Sequence, residues 1–114
     1  MIQEKEVLYH VVLFKLHPDA PEDMKKRAFE LYQQLKGDTG GDEAGVLYLE
    51  LKENMDLRKG VQWVQLAVFR NNDALQAFRK HPAHMAVADI MSKISDWFVG
   101  DFMSPAMQLE RSAL

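Results

Sequence analysis

Two of the four histidines in this 114-residue chain flank a proline in the phrase FRKHPAHMAV, residues 78–87. Imidazole is the side chain suited to moving protons near neutral pH, since its ordinary pKa is about 6.5. A base that removes a proton beside a carbonyl must be neutral at working pH and within about 3 Å of that proton. Apolar surroundings disfavour the charged ring and would keep such a base populated. His84 is the first candidate for that role. His10, inside the apolar run VLYHVVLFKL (7–16), is the candidate to orient or polarise a substrate carbonyl. The structural alternative stands beside this. His84 would cap the break at Pro82 through a freed backbone carbonyl, and His10 would be a hydrogen-bonded core residue.

His81 and His84 stand at i, i+3, but the intervening proline spoils helical registration and no third ligand is near, so no metal is expected. His17, next to Pro18, reads as an exposed turn residue. Trp63, Phe78, Met91 and Trp97 are candidates to line an aromatic pocket for a flat molecule, though most such residues are core. The seven methionines fit adaptable packing. Glu50 and Asp101 are strand carboxylates that sequence spacing does not pair, so a glycosidase-like dyad has no support. There is no glycine-rich phosphate loop and no G-x-S-x-G elbow.

These residues need elements to position them. Alternation makes 7–16 a strand, with His10, Val12, Phe14 and Leu16 on one face and Tyr9, Val11, Leu13 and Lys15 on the other. Both faces are apolar enough to want cover. Pro18 and Pro21 stop it. A helix from Pro21 to about Lys36 follows, with Met24, Ala28, Leu31 and Leu35 as its buried stripe, flanked by Phe29 and Tyr32. GDTGGDEAG (37–45) reads as a flexible connection. VLYLELK is a half-buried strand with Leu47, Leu49 and Leu51 on one side. VQWVQLAVF (61–69) is a third strand, with Trp63, Gln65, Ala67 and Phe69 sharing a face.

Asn71 is the predicted N-cap of a helix that Pro82 interrupts, because proline removes a donor and disfavours the α conformation at His81. The helix resumes at Ala83 and runs to about Ser95. His84 precedes Val87 by three residues and so lies on the buried stripe. DWFVGDFM (96–103) is the fourth strand, and PAMQLERSAL (105–114) is a C-terminal tail, mobile or exchanged. The result is one domain over 1–104 with the order β-α-β-β-α-β, a ferredoxin-like α+β fold: an antiparallel four-stranded sheet with two helices on one face. The other face is left bare and apolar, and a second copy packing face to face would cover it, so a homodimer is expected.

Composition narrows the partners. A net charge of −3 and a pI near 5.8 provide no basic field for a nucleic acid. The absence of cysteine excludes disulfides, thiolate metal sites and cysteine nucleophiles. Glu4, Glu6 and His10 sit where a signal peptide needs a basic and then uninterrupted apolar run, and no segment approaches a membrane span of about 20 residues. The chain reads as cytoplasmic.

HVVLFKL from His10, FRKHPAH from Phe78 and DWFVGDF from Asp96, in this order, resemble the stress-responsive A/B barrel (Dabb) family over residues 7–104. The resemblance implies a dimeric α+β barrel in which two ferredoxin-like sheets pair. It also implies a relation to a plant branch that cyclises polyketide chains by aldol chemistry without cofactor, in a pocket between sheet and helices. By position, His10 and His84 match two pocket histidines of that branch and Tyr32 falls near a pocket tyrosine. Phe78 and Trp63 replace a tyrosine and a histidine of that set, which removes polar groups. Two functional classes follow. One is a dimer binding a small apolar or aromatic molecule, with cofactor-free lyase, cyclase or isomerase chemistry. The other is a non-catalytic, stress-associated stability or assembly protein. A monooxygenase of the related barrel superfamily, with or without haem, is a third.

Overall fold

The computed structural model describes residues 5–107. The elements are β1 (Glu6–Leu16), α1 (Glu22–Asp38), a 3-10 turn (Gly41–Ala44), β2 (Val46–Glu53), β3 (Trp63–Phe69), α2 (Asn72–Lys80), α3 (Pro82–Ile94) and β4 (Ser95–Pro105). All strand pairs are antiparallel and the sheet order is β2-β3-β1-β4, the ferredoxin-like arrangement. No helix among the described residues is long and apolar enough to cross a membrane.

The helices cover one face. Leu8, Val12 and Phe14 of β1, Trp63, Ala67 and Phe69 of β3, and Leu49 and Leu51 of β2 meet Ala28, Tyr32 and Leu35 of α1, Leu75 and Phe78 of α2, and Val87, Met91 and Ile94 of α3. Alternation in the strands and the 3.6-residue period in the helices produce this layer directly.

β2 departs from strict alternation. A bulge between Val46 and Tyr48 inserts Leu47 into the ladder against β3. Val46 therefore joins Leu49 and Leu51 in the helix-covered core, while Leu47, expected on their side, packs with Tyr48 against Val7, Tyr9 and Val68 on the open face.

The connection after α1 is also ordered rather than flexible. α1 runs on to Asp38, and the buried Thr39 hydroxyl donates to the Leu35 and Lys36 carbonyls at 2.7 and 3.1 Å, closing the helix end. Arg70 Nη2 then donates to the Asp42 carbonyl at 2.6 Å, tying the 3-10 turn to the end of β3. Gly45 follows at φ +84°, where an added Cβ would lie 2.7 Å from the Ala74 Cβ. Gly45→Ala is expected to cost at least about 1–2 kcal/mol from left-handed backbone strain alone. Gly37→Ala, inside α1 with a Cβ that meets open space, is the control and should hold or raise stability, since alanine favours the helix over glycine; denaturant midpoints read both.

The open face carries Tyr9, Val11 and Leu13 of β1, paired with Phe102, Gly100 and Phe98 of β4 and with Val68, Leu66 and Val64 of β3. Leu66, Phe98 and Phe102 are 37%, 58% and 54% exposed, a contiguous apolar surface on an otherwise folded protomer. Tyr9 stacks on Phe102 with centroids 5.0 Å apart, and its hydroxyl donates to the Pro105 carbonyl and accepts from the Met107 amide. β4 thus continues to Pro105, into the segment expected as a tail. The remainder of that tail, 108–114, lies outside the described residues.

Candidate functional site

The break in the second helical segment is held by the two histidines that flank it. Pro82 has no amide proton, so the turn from α2 to α3 loses one helical bond, and its neighbours must be satisfied elsewhere. His81 Nδ1 accepts from the Ala83 amide at 3.0 Å, acting as the N-cap of α3. His84 Nδ1 meets the Arg79 carbonyl at 3.1 Å. A carbonyl only accepts, so this Nδ1 carries the proton and Nε2 of the neutral ring is a bare lone pair.

A cavity of about 270 Å³ opens between the helices and the sheet. Its lining includes His10, Tyr32, Gln65, Arg79 and His84 as polar groups and Val12, Phe14, Ala88, Met91, Trp97 and Val99 as apolar walls. Of the residues expected at a pocket, His10, His84, Tyr32, Met91 and Trp97 line this one. Trp63 and Phe78 do not. Trp63 is buried edge-on against Phe29 at 5.6 Å. Phe78 lies behind the cavity, 4.9 Å from Phe69 and 4.7 Å from the His84 ring. It supports the imidazole from the core side instead of touching the open space. Both are apolar side chains on the buried faces of their elements, where core packing claims them.

His10 is 6% exposed, and its Nδ1 lies 2.6 Å from Asp101 Oδ1 on the neighbouring strand. His10 and Asp101 are directly opposed in the β1–β4 register, so their side chains leave the same face of the sheet. The carboxylate accepts a hydrogen bond from Nδ1–H, so Nε2 is the ring nitrogen left without a protein partner among the described residues. Arg79 Nη2 approaches the other oxygen of Asp101 at 3.8 Å. Spacing alone did not pair Asp101 with anything. Its signal was an acidic residue at an inward position of the Trp97, Val99, Asp101, Met103 alternation.

Gln65 was likewise visible as the one amide on the inward face of β3. It is 3% exposed, and no protein partner for its side chain is found among the described residues. No fully occluded side-chain polar atom among the described residues lacks a partner. The Gln65 amide and the equally unpartnered Tyr32 hydroxyl therefore open onto the cavity they line.

Burial pushes the Tyr32 phenol well above its ordinary value, so it is an O–H donor and never a phenolate base at neutral pH. Burial holds the His84 imidazole below its ordinary 6.5. The Arg79 carbonyl opposes this, and repulsion from His10 and the Arg79 guanidinium adds to it. A histidine lowered on folding binds fewer protons in the native than in the unfolded state. Its contribution is complete above 6.5 and is lost as pH falls below that value through the folded one. The melting temperature of the wild type is therefore expected to fall more steeply below pH 6.5 than that of His84→Gln, measured in parallel by circular dichroism.

Among the described residues no three metal-ligating side chains converge. His17 Nε2 makes a 3.3 Å contact with the exposed Asp96, away from the cavity lining.

Several solved structures share this fold. A dimeric ferredoxin-like protein of unknown function from Bacteroides fragilis is 23% identical, with a TM-score of 0.69 over 84% of this chain and 94% of its own. A hydroxynitrile lyase from Passiflora edulis is 11% identical, with a TM-score of 0.74 over 92% of this chain and 99% of its own. A Dabb family protein with a ferredoxin-like fold from Mesorhizobium loti is 19% identical, with a TM-score of 0.66 over 89% and 99%. A sequence search of curated proteins gives no match. The stress responsive A/B barrel domain model matches residues 8–104. With that match spanning β1 through nearly the whole of β4, the chain belongs to the stress responsive A/B barrel (Dabb) domain family.

Proposed function

We propose that the protein is a homodimer whose subunits each bind a small apolar or aromatic carbonyl compound in the cavity and move a proton on it without a cofactor. The observation that carries this reading is the pair of imidazoles, each with Nδ1 engaged by the protein, that line one cavity with Nε2 left over.

His84 is the base. Its lowered affinity for protons keeps the lone pair available at neutral pH. Nε2 takes the proton from the carbon beside the carbonyl, the C–H electron pair moves into the enolate, and the ring becomes imidazolium. The Tyr32 O–H and the Gln65 amide are the donors the cavity offers to the enolate oxygen. Return of the proton to a different carbon of the enolate gives isomerisation, and attack of the enolate carbon on a second carbonyl of the same ligand, whose alkoxide oxygen takes the proton back from the imidazolium, gives cyclisation.

His10 is held by Asp101 in the tautomer that accepts, so while neutral it receives a substrate hydroxyl rather than polarising a carbonyl. The open sheet face, with Leu66, Phe98 and Phe102 exposed, supports the dimer.

The test is deuterium exchange from heavy water into phenylacetone, followed by NMR, with mandelonitrile cleavage assayed beside it because a structural neighbour is a hydroxynitrile lyase. Exchange above the buffer rate, with saturation in ketone, is expected. Rates equal to buffer for both compounds would overturn the enzymatic reading. The hydrogen bonds of His81 and His84 across the Pro82 break would then stand as purely structural.

A further inference from the structure

The two ends of the cavity differ in electrostatic character. At the floor, Phe14, Tyr32, Gln65 and Met91 are 4%, 5%, 3% and 2% exposed. At the mouth, Trp97 and Val99 are 44% and 48% exposed, and the Arg79 side chain is 42% exposed. The floor therefore offers neutral hydrogen-bonding groups, and the mouth offers a permanent cation, with the Trp97 indole also in the lining.

Arg79 is not consumed by the fold. Its nearest acid is Asp101, at 3.8 Å, beyond hydrogen-bond distance, and that carboxylate is already committed to His10 at 2.6 Å. The guanidinium makes no side-chain hydrogen bond to the described residues. Its planar fork of donors belongs to a side chain that lines the cavity, and a carboxylate can fill such a fork with two parallel N–H···O bonds.

We infer that the ligand is a flat, monoanionic carboxylate. Its acid group is bound by Arg79 at the mouth, its body lies between Trp97, Val99 and Met91, and a hydroxyl or carbonyl at its far end meets Gln65 and Tyr32. This rests on the reading of the cavity as a ligand site and adds the chemical class of the ligand. Gln65 is the independent support. An amide with no protein partner, on a strand face otherwise given to Trp63, Ala67 and Phe69, costs stability unless something else satisfies it. Its amide presents both a donor and an acceptor, so a neutral polar group fits at the floor while the charge stays at the mouth.

The probes are 4-hydroxyphenylacetate and its neutral isostere 4-hydroxyphenylacetamide, titrated calorimetrically into the full-length protein at low ionic strength. The acid is expected to bind about tenfold more tightly than the amide, the discrimination of a charge-assisted hydrogen-bonded pair. Arg79→Gln should erase that ratio by weakening the acid alone. The Arg79 side chain makes no hydrogen bond to the described residues and His84 is held by the backbone carbonyl of this residue, so the variant keeps the fold.

Equal affinity of acid and amide for the wild type overturns the assignment, as does an acid affinity unchanged in Arg79→Gln. Absence of binding by either probe overturns the ligand class, even where phenylacetone exchange proceeds. A tenfold preference that depends on Arg79 in a protein inert in exchange supports the ligand class and removes only the proposed chemistry.

Discussion

Replacing His84 by alanine is expected to lower the rate of deuterium exchange into phenylacetone by about 10²–10⁴-fold, the usual worth of a positioned general base. Alanine also removes the hydrogen bond to the Arg79 carbonyl, which holds the α2–α3 junction at 3.1 Å. That loss is worth about 1 kcal/mol of stability and confuses a purely kinetic reading. His84→Gln separates the two roles, because an amide N–H can still donate to the carbonyl but no group is left with the basicity of imidazole. Its melting temperature near neutral pH should stay close to wild type while exchange falls as far as in the alanine variant. Exchange retained by His84→Gln would mean that the histidine is only a clamp across the proline. The wild-type pH–rate profile should rise to a plateau through an apparent pKa below 6.5, because burial disfavours the imidazolium.

Leu66→Asp is expected to convert the protein from dimer to monomer, read by sedimentation at micromolar concentration. Leu66 lies on the open face of β3, opposite Val11 of β1, and is 37% exposed in the protomer. It belongs to neither buried cluster of the protomer, so the isolated fold keeps its core when it is replaced. In an assembly that closes the open faces, the new carboxylate is buried without a partner, which costs about 3–5 kcal/mol and weakens association by about 10²–10⁴-fold. Circular dichroism should remain that of the wild type. A variant that stays dimeric would show that the two copies meet elsewhere and that the Tyr9, Phe98 and Phe102 surface is left to another partner.

Much of the architecture was legible because it rests on local rules. The two-residue period of HVVLFKL puts His10 on the same side as Val12 and Phe14, and Pro82 breaks the helix wherever it is placed in one. Three residues, less than one helical turn, separate His84 from Val87, so they must share a face. Those facts made His10 and His84 readable as inward groups.

The bulge at Leu47 was not readable, because Val46 and Leu47 are both apolar and only the β3 ladder decides which of them is the extra residue. The ordered 37–45 connection was misread for a related reason. Its glycines signal conformational freedom, while the buried Thr39 hydroxyl and the Arg70 side chain that fix it act across α1 and β3.

Taken alone, the sequence determined which side chains point inward, since that depends on backbone periodicity within each element. Which of those side chains meet was decided by the tertiary structure. His10 and Asp101 are 91 positions apart and became partners only through the β1–β4 register. Phe78 and Trp63 were absorbed into the core, Gln65 was exposed to the cavity, and Arg79 was left at the mouth. Those outcomes follow from how one sheet and three helices divide a fixed volume, which no single element's pattern encodes.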